Sequence, residues 1–207
     1  GVNNSKIINA LIFGLLALLS ISALLPFVWM LSTSLKDNYA VFVYPPEWVP
    51  NPVTFEAYRK IFTLVPFGRQ LLNSVTVSVS VTLGQLFFCS LAAFSFSRLE
   101  YPGRDVIFVL YLATLMVPHY VTLIPGYILM NKLRWINTLK ALIIPRFFGA
   151  AYGTFLLRQF FMTIPYDLQD AAVIDGCSSF RIYAQIMLPL IKPALATLGL
   201  FTFMGNW

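Results

Sequence analysis

Long apolar runs broken by short polar segments set the plan of this chain. A hydrocarbon core of about 30 Å takes about 20 apolar helical residues to cross, at about 1.5 Å per residue. Four stretches reach that length, at roughly 7–30, 71–94, 106–130 and 142–161, and a fifth apolar stretch starts near Ala194 and runs to Trp207. Lipid offers backbone N–H and C=O groups no partner, so each stretch is predicted to be a helix. The first is too long for a signal-peptide core and has no small-residue cleavage site followed by a soluble chain, which makes it an anchor that stays. The expectation is an all-α polytopic membrane protein, a single transmembrane domain over 1–207. It has loops over 31–70 and 162–193 and the start of a truncated fifth helix over 194–207.

Composition agrees with that pattern. The chain is 58% hydrophobic and 11% charged, with mean hydropathy +0.77, whereas a soluble domain carries about 25% charged residues. The net charge of +6 does not point to nucleic acid, because the Lys and Arg residues are scattered singly between apolar runs and form no patch that could follow a phosphate backbone. Cys89 lies in an apolar run and Cys177 in a polar loop; two cysteines provide no metal-ligand spacing, and both are expected to be free thiols. Lys and Arg placement leaves orientation undecided. With the N-terminus inside, Lys6, Arg98, Arg104, Arg158, Arg181 and Lys192 fall inside, against Lys36, Arg59, Lys60, Arg69, Lys132, Arg134 and Lys140 outside.

The loop over 31–70 holds Tyr44-Pro45-Pro46-Glu47-Trp48-Val49-Pro50-Asn51-Pro52. Its prolines fix φ and remove donors, predicting a stiff extended strap. Phe55, Tyr58, Ile61 and Phe62 then recur at helical spacing among Glu56, Arg59 and Lys60, predicting an amphipathic helix that either lies on the membrane or receives a protein partner. Between the second and third apolar stretches, Tyr101-Pro102-Gly103 between Arg98 and Arg104 predicts a tight turn.

The polar segment before the fifth stretch, Asp170-Ala-Ala-Val-Ile-Asp-Gly-Cys-Ser-Ser-Phe-Arg-Ile-Tyr-Ala-Gln-Ile-Met-Leu-Pro189, predicts a helix, a sharp turn and a second helix. Pro165 suits a helix start, and Asp167 and Asp170 favour the positive end of its dipole. Gly176 fits the left-handed residue that ends a helix, Ser178 or Ser179 can cap the next, and Pro189 is expected to stop it. Leu168, Ala171, Ala172 and Asp175 recur at helical spacing as a small-residue face onto which another protein could dock.

Taken together, Asp170-Ala171-Ala172, Asp175-Gly176, nine intervening residues and Ile186-x-Leu188-Pro189 resemble the EAA loop of ABC importer permeases. Two residues depart from that pattern: Asp170 stands where the family usually has Glu, and Cys177 where Ala is common. The run Ala92 to Arg104, Asn73-Ser74, Pro118, Pro125, Asn137-Thr138, Phe155-Leu156-Leu157-Arg158-Gln159 with Pro165, and Phe201 to Trp207 resemble sugar-importing permeases of the maltose-transporter type. The resemblance covers nearly all of the chain. It implies a type I ABC importer permease fold with six transmembrane helices in full, about four and a half of them here, in a bacterial or archaeal cytoplasmic membrane. It places the N-terminus and 162–193 in the cytoplasm and 31–70 outside. The implied partners are a second homologous permease, two ATP-binding subunits that supply the only nucleotide, and an extracytoplasmic solute-binding protein. The implied coupling residues are Asp170, Ala171, Ala172, Asp175, Gly176, Ile186, Leu188 and Pro189.

Two features of the residues point the same way. All eight acidic residues lie outside the apolar stretches, so the intramembrane carboxylate usual in ion-coupled transporters is missing. No Gly-x-x-x-x-Gly-Lys-[Ser/Thr] loop occurs, so hydrolysis by that route belongs to a partner. An enzyme would need a nucleophile, base or metal constellation, for which one His leaves too few parts; a passive channel or scaffold subunit is the remaining alternative. His119 and Arg146 are the ionisable residues deep within the stretches, Arg158 lying near the inner end of the fourth, and each of the two must face protein or water. His119 either bonds backbone freed by Pro118 or lines a substrate path; Arg146 either snorkels to the surface or lines that path, with Tyr120 and Asn73 as further path candidates. An intramembrane Arg mildly favours an anionic sugar.

Overall fold

The computed structural model describes residues 2–207, which are helical and contain no strand among the described residues. They form two compact units, divided between Arg69 and Gln70.

The first unit begins with α1, Val2–Ser34. Side chains from Ile8 to Val28 are exposed all round the helix, as expected of a helix that is apolar on every face and covered by lipid or other subunits. The proline strap folds back on the end of α1. Trp48 meets Trp29 edge to face at 5.0 Å, and Ser32 Oγ donates to Trp48 O at 2.6 Å. Lys36, 4% exposed, donates to Glu47 O and lies 4.5 Å over the Trp29 ring. The expected amphipathic helix is α2, Glu56–Leu64, closed by the Glu56–Lys60 ion pair at 2.7 Å.

The second unit is organised on α3, Phe67–Arg98, which is 44% buried over its most apolar window. The tight turn after it has the Arg104 N–H donating to Tyr101 O at 3.3 Å. The third apolar stretch is not one helix, contrary to expectation. It divides into α4, Arg104–Ala113, a short 3-10 turn Thr114–Met116, and α5, His119–Lys132, with a 95° bend between the halves. Pro118 is the cause, because it holds the preceding residue out of the helical region and Val117 has ψ 113°. The fourth stretch is divided too, into α6, Lys140–Phe147, and α7, Ala151–Thr163. Gly149 interrupts it with φ +107°.

Two short helices, α8, Tyr166–Ile174, and α9, Ser179–Arg181, lead through a π-turn, Ile182–Met187, into α10, Leu188–Leu190. Helix α11, Lys192–Asn206, leaves them at 79°. Pro189 does not end the helix as expected. The π-turn supplies one residue more per turn, so the Leu188 N–H bonds Tyr183 O five residues back, and the ladder closes around the proline's missing donor. The bend falls at Ile191 instead. The core gathers Cys89, Ala93 and Phe94 of α3, Leu157 and Phe161 of α7, and Ala194 and Leu198 of α11.

Candidate functional site

The segment from Pro165 to Pro189 owes its shape to its own sequence. Helix α8 ends with Gly176 at φ +77°, a backbone that L side chains adopt at a cost of about 1–2 kcal/mol. The Gly176 N–H donates to Val173 O at 3.0 Å and the Cys177 N–H to Ala172 O at 2.9 Å, the bond pair of a Schellman cap. Ser178 then caps α9, accepting the Arg181 N–H at 3.4 Å.

One expectation about this segment is corrected. Ala172 does not share an outward docking face with Leu168, Ala171 and Asp175; it is 6% exposed and packed in the core cluster with Phe161, Ile164 and Tyr183. A helix of nine residues must bury one face to be held at all, and Ala172 lies on that face. What α8 presents outward is Asp167, Leu168, Asp170, Ala171, Val173, Ile174 and Asp175, with Gly176 after them. Ile174 is 85% exposed. Ile186 and Leu188 are half-buried against the core, whereas Pro189 is exposed.

The segment is tied to α3 by caps that run both ways. Arg98, 4% exposed, donates Nη2 to both Phe161 O and Ile164 O at the end of α7. Its guanidinium lies 4.4 Å over the Tyr166 ring. In return, Tyr166 Oη donates to Ser97 O at 3.3 Å and Gln169 Nε2 to Arg98 O at 3.4 Å, while Arg104 Nη1 donates to Leu99 O at 3.2 Å. The last carbonyls of α3 and α7, which a helix leaves unsatisfied, are thus filled by each other's neighbours. Farther along, Tyr183 on the π-turn shares a 2.7 Å buried hydrogen bond with Ser90. Sequence reasoning treated Arg98 only as a flanking cation and passed over Tyr166, Gln169, Ser90 and Tyr183.

Of the path candidates, only Arg146 has polar company. Its Nη1 donates to Asn206 Oδ1 at 2.8 Å, Asn206 Nδ2 donates to Thr202 O at 2.7 Å, Thr202 Oγ1 donates to Gln85 Oε1 at 3.4 Å, and Gln85 Nε2 donates to Arg146 O at 3.0 Å. Gln85, Thr202 and Asn206 were missed, although a polar side chain within an apolar stretch is itself a signal. Asn73 is half-buried, and His119 and Tyr120 are exposed. None of the three joins this ring of hydrogen bonds. The His119 side chain makes no hydrogen bond to backbone freed by Pro118; only its carbonyl is engaged, by Thr122 Oγ1 at 2.8 Å. Both cysteines are free, and among the described residues no three His, Cys, Asp or Glu side chains gather to hold a metal ion.

Known proteins match this arrangement along nearly its whole length. A diacetylchitobiose uptake system permease protein of Streptomyces coelicolor is 32% identical over 199 residues, 96% of this chain and 66% of the relative. An sn-glycerol-3-phosphate transport system permease protein of Escherichia coli K12 is 35% identical over 177 residues, 83% of this chain and 63% of the relative. The chain therefore spans about two thirds of the length of these curated relatives. A crystal structure of a bacterial ABC transporter involved in the import of the acidic polysaccharide alginate superposes with a TM-score of 0.82 at 27% identity, covering 98% of this chain and 70% of that one. Residues 85–207 match the family described as the inner membrane component of binding-protein-dependent transport systems. The type I ABC importer permease fold expected from the sequence is the fold found, and the chain belongs to that family of inner membrane components.

Proposed function

We propose that this chain is a permease subunit of an ATP-driven importer of carbohydrate or a related polyol phosphate, forming half of the translocation path beside a second, homologous permease. Two cytoplasmic ATP-binding subunits drive it, and an extracytoplasmic solute-binding protein delivers the solute. The chain needs no cofactor of its own, since ATP is held by the ATP-binding subunits. Diacetylchitobiose, sn-glycerol 3-phosphate and alginate, the solutes named for its relatives, define that substrate class. In this reading the outward residues of α8, Asp170, Ala171, Ile174 and Asp175, together with Gly176, dock on the ATP-binding subunit. Ala172, Ile186, Leu188 and Pro189 serve by packing and by shaping the turn.

The observation that carries the reading is the reciprocal capping between α3 and the α7–α8 junction. A docking segment transmits force only if it is stiff against the membrane helices. Here Arg98 and Tyr166 fasten the segment to the end of α3, and the Ser90–Tyr183 bond fastens it a second time. Closure of the ATP-binding subunits would then turn α3 and α11 with the docked segment, opening the path to each side in turn.

The test is to purify the full-length protein from its source in mild detergent and identify what accompanies it by mass spectrometry. Recovery of a phosphate-loop ATPase that is lost with Gly176→Leu and with Ile174→Asp supports the reading. A Cβ at Gly176 would have no neighbour within 4 Å, so the cost of a side chain there within the chain begins as backbone strain at φ +77°. Full uptake with intact docking in Gly176→Leu refutes the docking assignment. A homo-oligomer with nucleotide-independent flux replaces the reading with a passive channel.

A further inference from the structure

Arg146, Asn206, Thr202 and Gln85 close a ring of hydrogen bonds across α6, α11 and α3, and its depth can be worked out from the helices. Asn206 is the last residue of α11, which starts at Lys192, and Gln85 is thirteen residues before Arg98 at the end of α3. At about 1.5 Å per residue both lie about 20 Å from the charged ends of their helices, well inside a core of about 30 Å. A guanidinium at that depth must face protein or water.

The ring fixes Arg146 without neutralising it. Asn206 holds Nη1 and the other members are occupied with one another, so the side chain is oriented by a neutral amide. Of the five N–H donors on a guanidinium, only that one is engaged among the described residues. The described ion pairs are Glu56–Lys60 and Arg104–Asp105, and no carboxylate lies in the membrane stretches. The Arg146 side chain is exposed. Beside it the helix breaks at 148–150, and irregular backbone at membrane depth is tolerated where it is buried in protein or lines a water-filled cavity. Close packing also holds the frame, since a Cβ on Gly84 would lie 2.6 Å from Phe147 O.

We propose that this ring is an anion subsite of the translocation path, in which Arg146 receives a carboxylate, phosphate or sulfonate group of the solute and Gln85, Thr202 and Asn206 position it. A guanidinium with its fork free matches such groups by paired, charge-assisted hydrogen bonds. The inference rests on the importer reading and adds the charge of the solute to it.

The test uses the complete complex in lipid nanodiscs, with direct binding measured for a uronate disaccharide against its neutral parent and for sn-glycerol 3-phosphate against glycerol. At least one acidic probe should bind more tightly than its neutral parent, with Arg146→Gln weakening it about tenfold or more and Arg146→Lys less so. Asn206→Asp, which sets a carboxylate against the guanidinium, should weaken the same probe while the complex still assembles. Binding of neutral probes alone, no binding of either kind, or acidic binding unchanged in Arg146→Gln overturns the subsite. So does loss of the second permease in Arg146→Gln, which makes the arginine a subunit contact. The importer reading fails separately, by absence of ATPase from the complex, and Arg146-dependent anion binding in such a complex still supports the subsite.

Discussion

Replacing Arg98 by Met keeps an unbranched apolar stem and removes the guanidinium, which tests what the reciprocal caps contribute. Phe161 O and Ile164 O both lose the same donor. Phe161 O keeps the Ile164 N–H at 3.2 Å, whereas Ile164 O loses its partner, which costs about 1–3 kcal/mol, and loss of the contact over the Tyr166 ring adds about 0.5–2 kcal/mol. Against this stands relief of a buried cation with no carboxylate beside it, whose Nε and Nη1 are buried without partners. That relief is limited, because the charge already sits at the negative end of two helices. The net expectation is a destabilisation of about 1–3 kcal/mol. Arg98→Lys retains a point charge able to serve one carbonyl and should cost about half as much. The assay is SDS titration of the full-length protein in mild detergent, read by labelling of Cys89, which is wholly buried. Tyr166→Ala combined with Arg98→Met should be less than additive, since the two share one network. Unfolding of Arg98→Met within about 0.5 kcal/mol of the wild type, the usual range of a surface change, would falsify the claim that these caps hold the segment.

Three further outcomes are expected. Gly84→Ala drives a Cβ into the Phe147 ring and to 2.6 Å from its carbonyl, and since backbone yields little, overpacking of about 1–3 kcal/mol should appear in the same titration. Ser90→Ala should cost about 1–3 kcal/mol by stranding the buried Tyr183 hydroxyl, against about 1 kcal/mol for Tyr183→Phe, because Ser90 Oγ still donates to Phe87 O at 3.0 Å; equal costs would contradict that direction of donation. Cys177, half-buried beside the turn, should react with a maleimide in the isolated permease and be protected once the ATPase subunits are bound, and undiminished labelling would place the docking surface elsewhere.

Local chemistry in this chain was readable, and distant pairing was not. Gly176 and Ser178 act within a few residues of themselves, so their roles as helix end and cap followed from residue type alone. The apolar runs of α1 and α3 were equally plain, since length and hydropathy suffice. Pro118 and Pro189 show the limit: both are helix breakers by type, yet only the first breaks one, because a π-turn before Pro189 absorbs the missing donor. A sequence window does not reveal a surplus residue in a turn. Arg98 finds its acceptors 63 and 66 residues away, and Gln85 meets Thr202 across 117; no spacing along the chain encodes either. Ala172 was assigned outward because helical spacing defines a face without saying which face is buried.

The bend at Pro118 also bears on how the protein enters its membrane. The halves on either side, Arg104–Met116 and His119–Lys132, are each about 20 Å long at about 1.5 Å per residue, shorter than a hydrocarbon core of about 30 Å. Neither can rest across the bilayer by itself, and the interrupted backbone at the bend needs cover that acyl chains do not provide. Insertion of this segment is therefore a cooperative step, completed when neighbouring helices close around it.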